Sequence, residues 1–127
     1  MTSKEIIAHW LKGARDALAA AKLCYGDKRY ELALFHCHLS VEKALKVRYM
    51  ETKKEMPPYS HDLEFLAREL PLTLTDDQSD LLRELSDYAI ESRYSDPVWA
   101  EGEATAEKTG IRLKRTEDLL LTLLKNV

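Results

Sequence analysis

The sequence has few of the residues that interrupt helices or cross-link a chain: four glycines, four prolines and two cysteines among 127 residues. So little glycine and proline leaves room for only short connections between long elements. We interpret Cys24 and Cys37 as small hydrophobic residues in a reducing compartment rather than as a disulfide. No apolar run approaches the roughly 18 to 20 residues of a membrane span, and the first residues lack the apolar core of a signal peptide. We therefore expect a cytoplasmic protein without membrane contact.

Several motifs of catalysis and cofactor binding are missing as well. The sequence contains no glycine-rich phosphate loop and no Gly-x-Ser-x-Gly elbow. On a helix, His36 and His38 point about 200° apart and cannot bind one ion together. For His38 we expect an interhelical hydrogen bond instead, and we predict neither a metal nor a cofactor.

The net charge of −3 is unevenly distributed along the chain. Residues 1–63 carry 11 Lys and Arg against 8 Asp and Glu, whereas residues 64–127 carry 8 against 14. This asymmetry fits an anionic ligand on the basic part, complementary surfaces that meet in the fold, or simply solvated helix faces. The acidic balance of the whole chain argues against a non-specific nucleic-acid binder but leaves room for a local phosphate site.

Apolar spacing and capping residues predict five helices, over residues 4–25, 28–52, 61–69, 76–92 and 103–125. Thr2, Ser60 and Thr75 are the predicted N-caps. Residues 98–102 are predicted to form a loop, because residues 93–97 break the fourth helix. Without any alternating pattern for strands, we predict an all-α fold. It is a single domain over residues 1–127, an antiparallel up-and-down four-helix bundle with one additional short helix across its end.

The second predicted helix carries two apolar stripes. One stripe faces the predicted core and contains Leu34, Cys37, Val41, Ala44 and Leu45. The other contains Leu32, Phe35, Leu39 and Met50. Because a helix of a small domain normally needs only one apolar stripe, we predict that the second stripe is the interface of a homodimer.

Three places carry candidate ligand-binding residues. Arg93 can bind phosphate through its fork of donors and Tyr94 can stack on a base, although Arg93 can equally pair with a carboxylate and fix the loop. His61 remains unexplained after the capping residues around it are assigned. Lys43 and Lys46 belong to the basic end of the second helix. These five residues are the predicted nucleotide- or phosphate-binding residues.

Four separated blocks of the chain, residues 10–20, 33–46, 61–63 and 88–94, together resemble the HEPN family. The block at 33–46 contains Phe35-His36 and Glu42-Lys43-Ala44-Leu45-Lys46, which are similar to the signature helix of that family. The resemblance implies an up-and-down bundle that forms a homodimer. It also implies a minimal nucleotidyltransferase as partner, in a toxin–antitoxin-like pair or a two-component transferase.

Many HEPN proteins are metal-independent ribonucleases whose motif is Arg, four to six residues, then His. This chain departs from that motif, because no histidine follows Arg93. Arg29 and His36 have the spacing but lie in a different block. The leading hypothesis is therefore a non-catalytic HEPN module that binds a nucleotide or RNA phosphate with a nucleotidyltransferase partner. The alternatives are a metal-independent ribonuclease toxin and a structural homodimer without a ligand.

Overall fold

The computed structural model describes residues 1–94, 96–125 and 127, without the side chains of residues 92 and 93. Within these ranges all regular structure is helical, which confirms the predicted all-α class. None of the described helices is both long enough and apolar enough to cross a bilayer. The helices are α1 (Ser3–Gly26), α2 (Tyr30–Lys53), α3 (Leu63–Arg68), α4 (Asp76–Tyr94), α5 (Pro97–Glu103) and α6 (Ala106–Leu123).

The long helices α1, α2, α4 and α6 form the bundle, and α2 is its centre. A three-residue connection turns α1 back onto α2, and α2 also contacts α3, α4 and α6. All five residues of its predicted core stripe are fully buried. They pack in one core with leucines from α4 and α6, including Leu85 and Leu119. Because α2 is surrounded by other helices, it contributes side chains to several faces of the bundle.

The second apolar stripe of α2 is only partly a surface. Leu32 is 44% exposed, and Phe35 and Leu39 are half-buried. Met50 is different, because it is 2% exposed in the single chain and thus cannot belong to an external interface. Its inclusion in the dimer stripe was wrong, since neighbouring helices of the same chain cover a central helix on more than one side.

Local capping signals agree with two of the three predicted N-caps. The Thr2 hydroxyl accepts from the Glu5 amide, and Thr75 and Gln78 exchange two hydrogen bonds, at 2.9 and 3.1 Å, in a complete capping box. Ser60 was predicted to cap α3, but Asp62 does so, accepting from two amides of the first turn. Its carboxylate reaches both donors at once, so α3 begins two residues later than expected.

Residues 98–102, predicted as a loop, belong instead to α5. Asp96 is the N-cap of this helix and accepts from the Val98 amide at 2.9 Å. Pro97 occupies the first turn, where a missing amide hydrogen costs nothing. The same two residues that end α4 therefore begin another helix, and α6 starts only after Thr105, its own cap.

Candidate functional site

A groove of about 440 Å³ lies between α2, α4 and the segment that leads into α3. Phe35 and Leu39 of α2 and Ile90 of α4 form its apolar part. His61, Glu42 and Arg83 are among its polar residues. Volume and mixed lining are those of a small-molecule site. We refer to this cavity as the α2–α4 groove.

His61 is held in the groove by Glu42 of α2. The His61 Nδ1 atom donates to Glu42 Oε1 at 2.7 Å, while Lys46 Nζ donates to the other carboxylate oxygen at 3.4 Å. The Glu42 side chain is buried, and a buried carboxylate needs such partners to offset its lost hydration. With the proton of neutral His61 on Nδ1, its Nε2 atom remains as the basic nitrogen.

The backbone around His61 is fixed from two sides. The buried His38 ring donates through Nε2 to the His61 carbonyl oxygen at 2.9 Å. Ser86 of α4 accepts from the Leu63 amide at 3.2 Å and donates to the Leu82 carbonyl. His38 thus forms a hydrogen bond between segments, as expected, but its partner lies in the loop before α3 and not on another helix. These bonds join α2, α4 and the start of α3 around the groove and place His61 on rigid elements.

Among the described residues of the α2–α4 groove, carboxylates outnumber cationic side chains. The carboxylates are Glu42, Asp62, Glu64 and Asp87, and the cationic side chain is Arg83. Arg83 is exposed and already pairs with Asp80 at 3.1 Å. A phosphate placed deep among these carboxylates would be repelled. The carboxylates of the groove instead suit hydroxyl and amino donors.

Of the predicted binding residues that the structure describes, Lys46 lies close to His61 and Lys43 does not. Lys46 approaches His61 through Glu42 and also lies 6.0 Å from the centroid of the Trp10 ring. Lys43 faces α1 instead, where it lines a different cavity. Tyr94 is exposed at the end of α4, and the Arg93 side chain lies outside the described residues.

The groove residues that sequence analysis missed include Glu42, as the partner of His61, and Ser86. Glu42 is 19 residues from His61, so no local pattern could have joined them. No group of three or more histidine, cysteine, aspartate or glutamate side chains within the described ranges could hold a metal ion. His36 and His38 point to different surroundings: His38 reaches His61, whereas His36 lines the cavity beside α1.

An ionic network holds α4, one wall of the groove, against α6. Arg112 of α6 contacts Glu103 at 3.0 Å and Glu84 at 3.5 Å, and its guanidinium lies 4.6 Å from the Tyr88 ring centroid. Arg115 contacts the second oxygen of Glu84 at 3.0 Å. Burial, the main cause, raises the pKa of Tyr88 to about 12. The network therefore attaches α4 to α6 next to the groove, since Asp87 and Ile90 line both the groove and the neighbouring cavity that contains Glu84 and Arg112.

Comparisons with known proteins agree with this architecture. A family model of the HEPN domain matches residues 7–126. The chain belongs to the HEPN domain family. The crystal structure of TT1696 from Thermus thermophilus is similar, with a TM-score of 0.79 and 21% identity, over 95% of this chain and 98% of that one. At that identity the likeness establishes the fold alone. No curated protein matches the chain at a significant level.

Proposed function

We propose that this HEPN chain is a non-catalytic binding module that takes a nucleotide or an RNA nucleotide in the α2–α4 groove. The observation that carries the proposal is His61, which buried Glu42 orients beside an apolar wall. An exposed aromatic side chain, Tyr59, lies against the His61 ring with centroids 5.5 Å apart. Exposed aromatic rings beside a polar groove provide stacking surfaces for bases.

The charge of the groove suggests the orientation of the ligand. Phe35, Leu39 and Ile90 can contact the flat face of a base, and the carboxylates can accept from ribose hydroxyls or a base amino group. The phosphate then lies away from these carboxylates, within reach of His61 and toward the end of α4 that carries Arg93 and Tyr94. In this arrangement Arg93 binds the phosphate, as the sequence analysis predicts.

The homodimer and the nucleotidyltransferase partner are further parts of this proposal. Phe35 and Leu39 line the groove and are also two of the predicted dimer contacts, so a homodimer would place each groove at the edge of the subunit interface, where these two side chains contact both the partner subunit and the ligand. The partnership is supported by membership of the family. Purification of the native complex tests it: the expected result is a bound nucleotidyltransferase with nucleic acid, and recovery of the chain alone argues against it.

Calorimetric titration with adenosine 5′-monophosphate (AMP) tests the binding site. We expect His61→Ala and Arg93→Ala each to weaken binding about tenfold or more, because a hydrogen bond to a charged group contributes roughly 1.5–3 kcal/mol. Matched controls are His9→Ala and Arg15→Ala, which change residues outside the groove. Equal affinities of all four variants and the wild type would refute this site.

A ribonuclease is the second candidate, favoured by one observation. A histidine held by a carboxylate is the arrangement that orients a general base, and His61 and Glu42 have it. We nevertheless expect metal-free protein to cleave RNA very weakly or not at all, since no histidine follows Arg93. Robust cleavage that is abolished by both Arg93→Ala and His61→Ala would establish the enzyme in place of the binding module.

A further inference from the structure

A second cavity, of about 370 Å³, lies between α1 and α2 on the other side of Leu39. We call it the α1–α2 cleft. Lys12 and Asp16 line it and neutralise each other at 2.6 Å. Lys43, which also lines it, has no ion-pair partner among the described residues. His9 and His36 complete its ionisable lining. Unlike the acidic α2–α4 groove, this cleft carries an uncompensated positive charge.

Lys43 reaches the cleft because position 13 lacks a side chain. A Cβ atom on Gly13 would lie 2.9 Å from both Cδ and Nζ of Lys43. Glycine in the interior of a helix is unfavourable compared with alanine, and Gly13 lies in the middle of α1. This close approach gives the glycine a physical reason: it allows the ammonium group to lie across α1.

His36 can supply a hydrogen-bond donor to the same cleft. Its Nδ1 atom is buried without a hydrogen-bond partner in the part of the chain that the structure describes. Burial also lowers the pKa of His36, which favours the neutral ring. We assign the proton of the neutral ring to Nε2, because on the buried Nδ1 atom it would be a donor without an acceptor. The Nε2–H group can then donate to an oxygen of a ligand.

We propose that the α1–α2 cleft binds a backbone phosphate of a single RNA strand whose neighbouring nucleotide lies in the α2–α4 groove. Leu39 lines both cavities, so a strand that follows the edge of the predicted subunit interface past this side chain enters both. The inference rests on the proposed function and specifies its ligand as RNA longer than one nucleotide. Lys43 neutralises the phosphate in the cleft, while the groove holds the base and ribose.

The test compares AMP with a six-nucleotide RNA by calorimetry. Lys43→Gln is expected to weaken RNA binding about tenfold, as loss of a charge-assisted hydrogen bond does, and to leave AMP binding within twofold. One lost phosphate contact also reduces the slope of log K against log salt by about 0.7 for a single strand. Lys114→Gln on α6 is the matched control, because it makes the same change of charge at a residue that lines neither cavity.

Gly13→Ala separates displacement of Lys43 from damage to the fold. The new methyl group must push the flexible end of Lys43 away from its position, whereas alanine favours the helix. We expect weaker RNA binding together with an unchanged or higher unfolding midpoint. The combination is specific, because a variant that merely damages the fold would lower that midpoint.

The outcomes distinguish this inference from the proposed function. If Lys43→Gln and Gly13→Ala leave RNA affinity unchanged, or weaken AMP and RNA binding equally, the cleft is not a phosphate site. If AMP does not bind at all but the two variants still weaken RNA binding, the α1–α2 cleft is a phosphate site and the assignment of the α2–α4 groove as a nucleotide site is wrong. Selective loss of RNA binding with normal AMP binding supports both.

Discussion

Replacement of Arg112 by alanine should lower the free energy of unfolding by about 2–3 kcal/mol. Removal of one partner from a fully buried ion pair costs roughly 3–5 kcal/mol, and from an exposed pair roughly 0–1 kcal/mol. The Arg112 side chain is 12% exposed, but those of Glu84 and Glu103 are 26% and 35% exposed and can recover hydration. We therefore expect the loss of the ion pairs to lower the free energy of unfolding by about 2 kcal/mol. The contact with the Tyr88 ring adds about 0.5–1 kcal/mol.

Urea denaturation followed by circular dichroism measures this loss. Arg112→Lys keeps the charge but not the planar fork, so we expect an intermediate loss. Arg83→Ala is the control, because its pair with Asp80 is exposed on both sides and should contribute less than about 0.5 kcal/mol. If Arg112→Ala lowers the free energy of unfolding no more than Arg83→Ala does, the network does not hold α4 in place and the groove wall is not rigid.

Three further predictions concern association, pH and thiol chemistry. Phe35→Glu or Leu39→Glu should convert a homodimer to monomer in light scattering; if both variants remain dimeric, the interface lies elsewhere. Because the pKa of Tyr88 is raised to about 12, ionisation favours the unfolded chain once pH exceeds about 10. Stability should consequently fall between pH 10 and 12, and fall less in Tyr88→Phe; equal losses would contradict this. Burial raises the pKa of Cys37 to about 11, so a thiol reagent at pH 8 should label Cys24 and spare Cys37 until the chain unfolds.

Local signals in the sequence were sufficient for most of the fold. Thr75 and Gln78 are three residues apart, and their reciprocal hydrogen bonds depend on little else in the chain. α5 was missed although Asp96 and Pro97 are a typical helix start. The helix is only seven residues long and follows directly after α4, so the same residues were interpreted as a break alone.

The candidate site could be predicted only in part, because its contacts join residues far apart in the chain. His61 was identified because capping did not explain it, but its partner Glu42 lies on another element. Lys43 and Lys46 are neighbours in sequence and were predicted to act together. Their partners separate them, since Lys46 pairs with Glu42 and Lys43 lies against Gly13. Periodicity identifies helix faces, whereas the neighbour of each face depends on tertiary packing.

We propose the α2–α4 groove as the ligand site of this HEPN module. The decisive measurement is a titration of isotope-labelled protein with AMP, followed by the NMR signals of the His61 ring and the Ser86 and Asp87 amides. We expect saturable shifts at these three positions and much smaller shifts at His9, which lies outside the groove. No shift at His61, or equal shifts at His61 and His9, would contradict it.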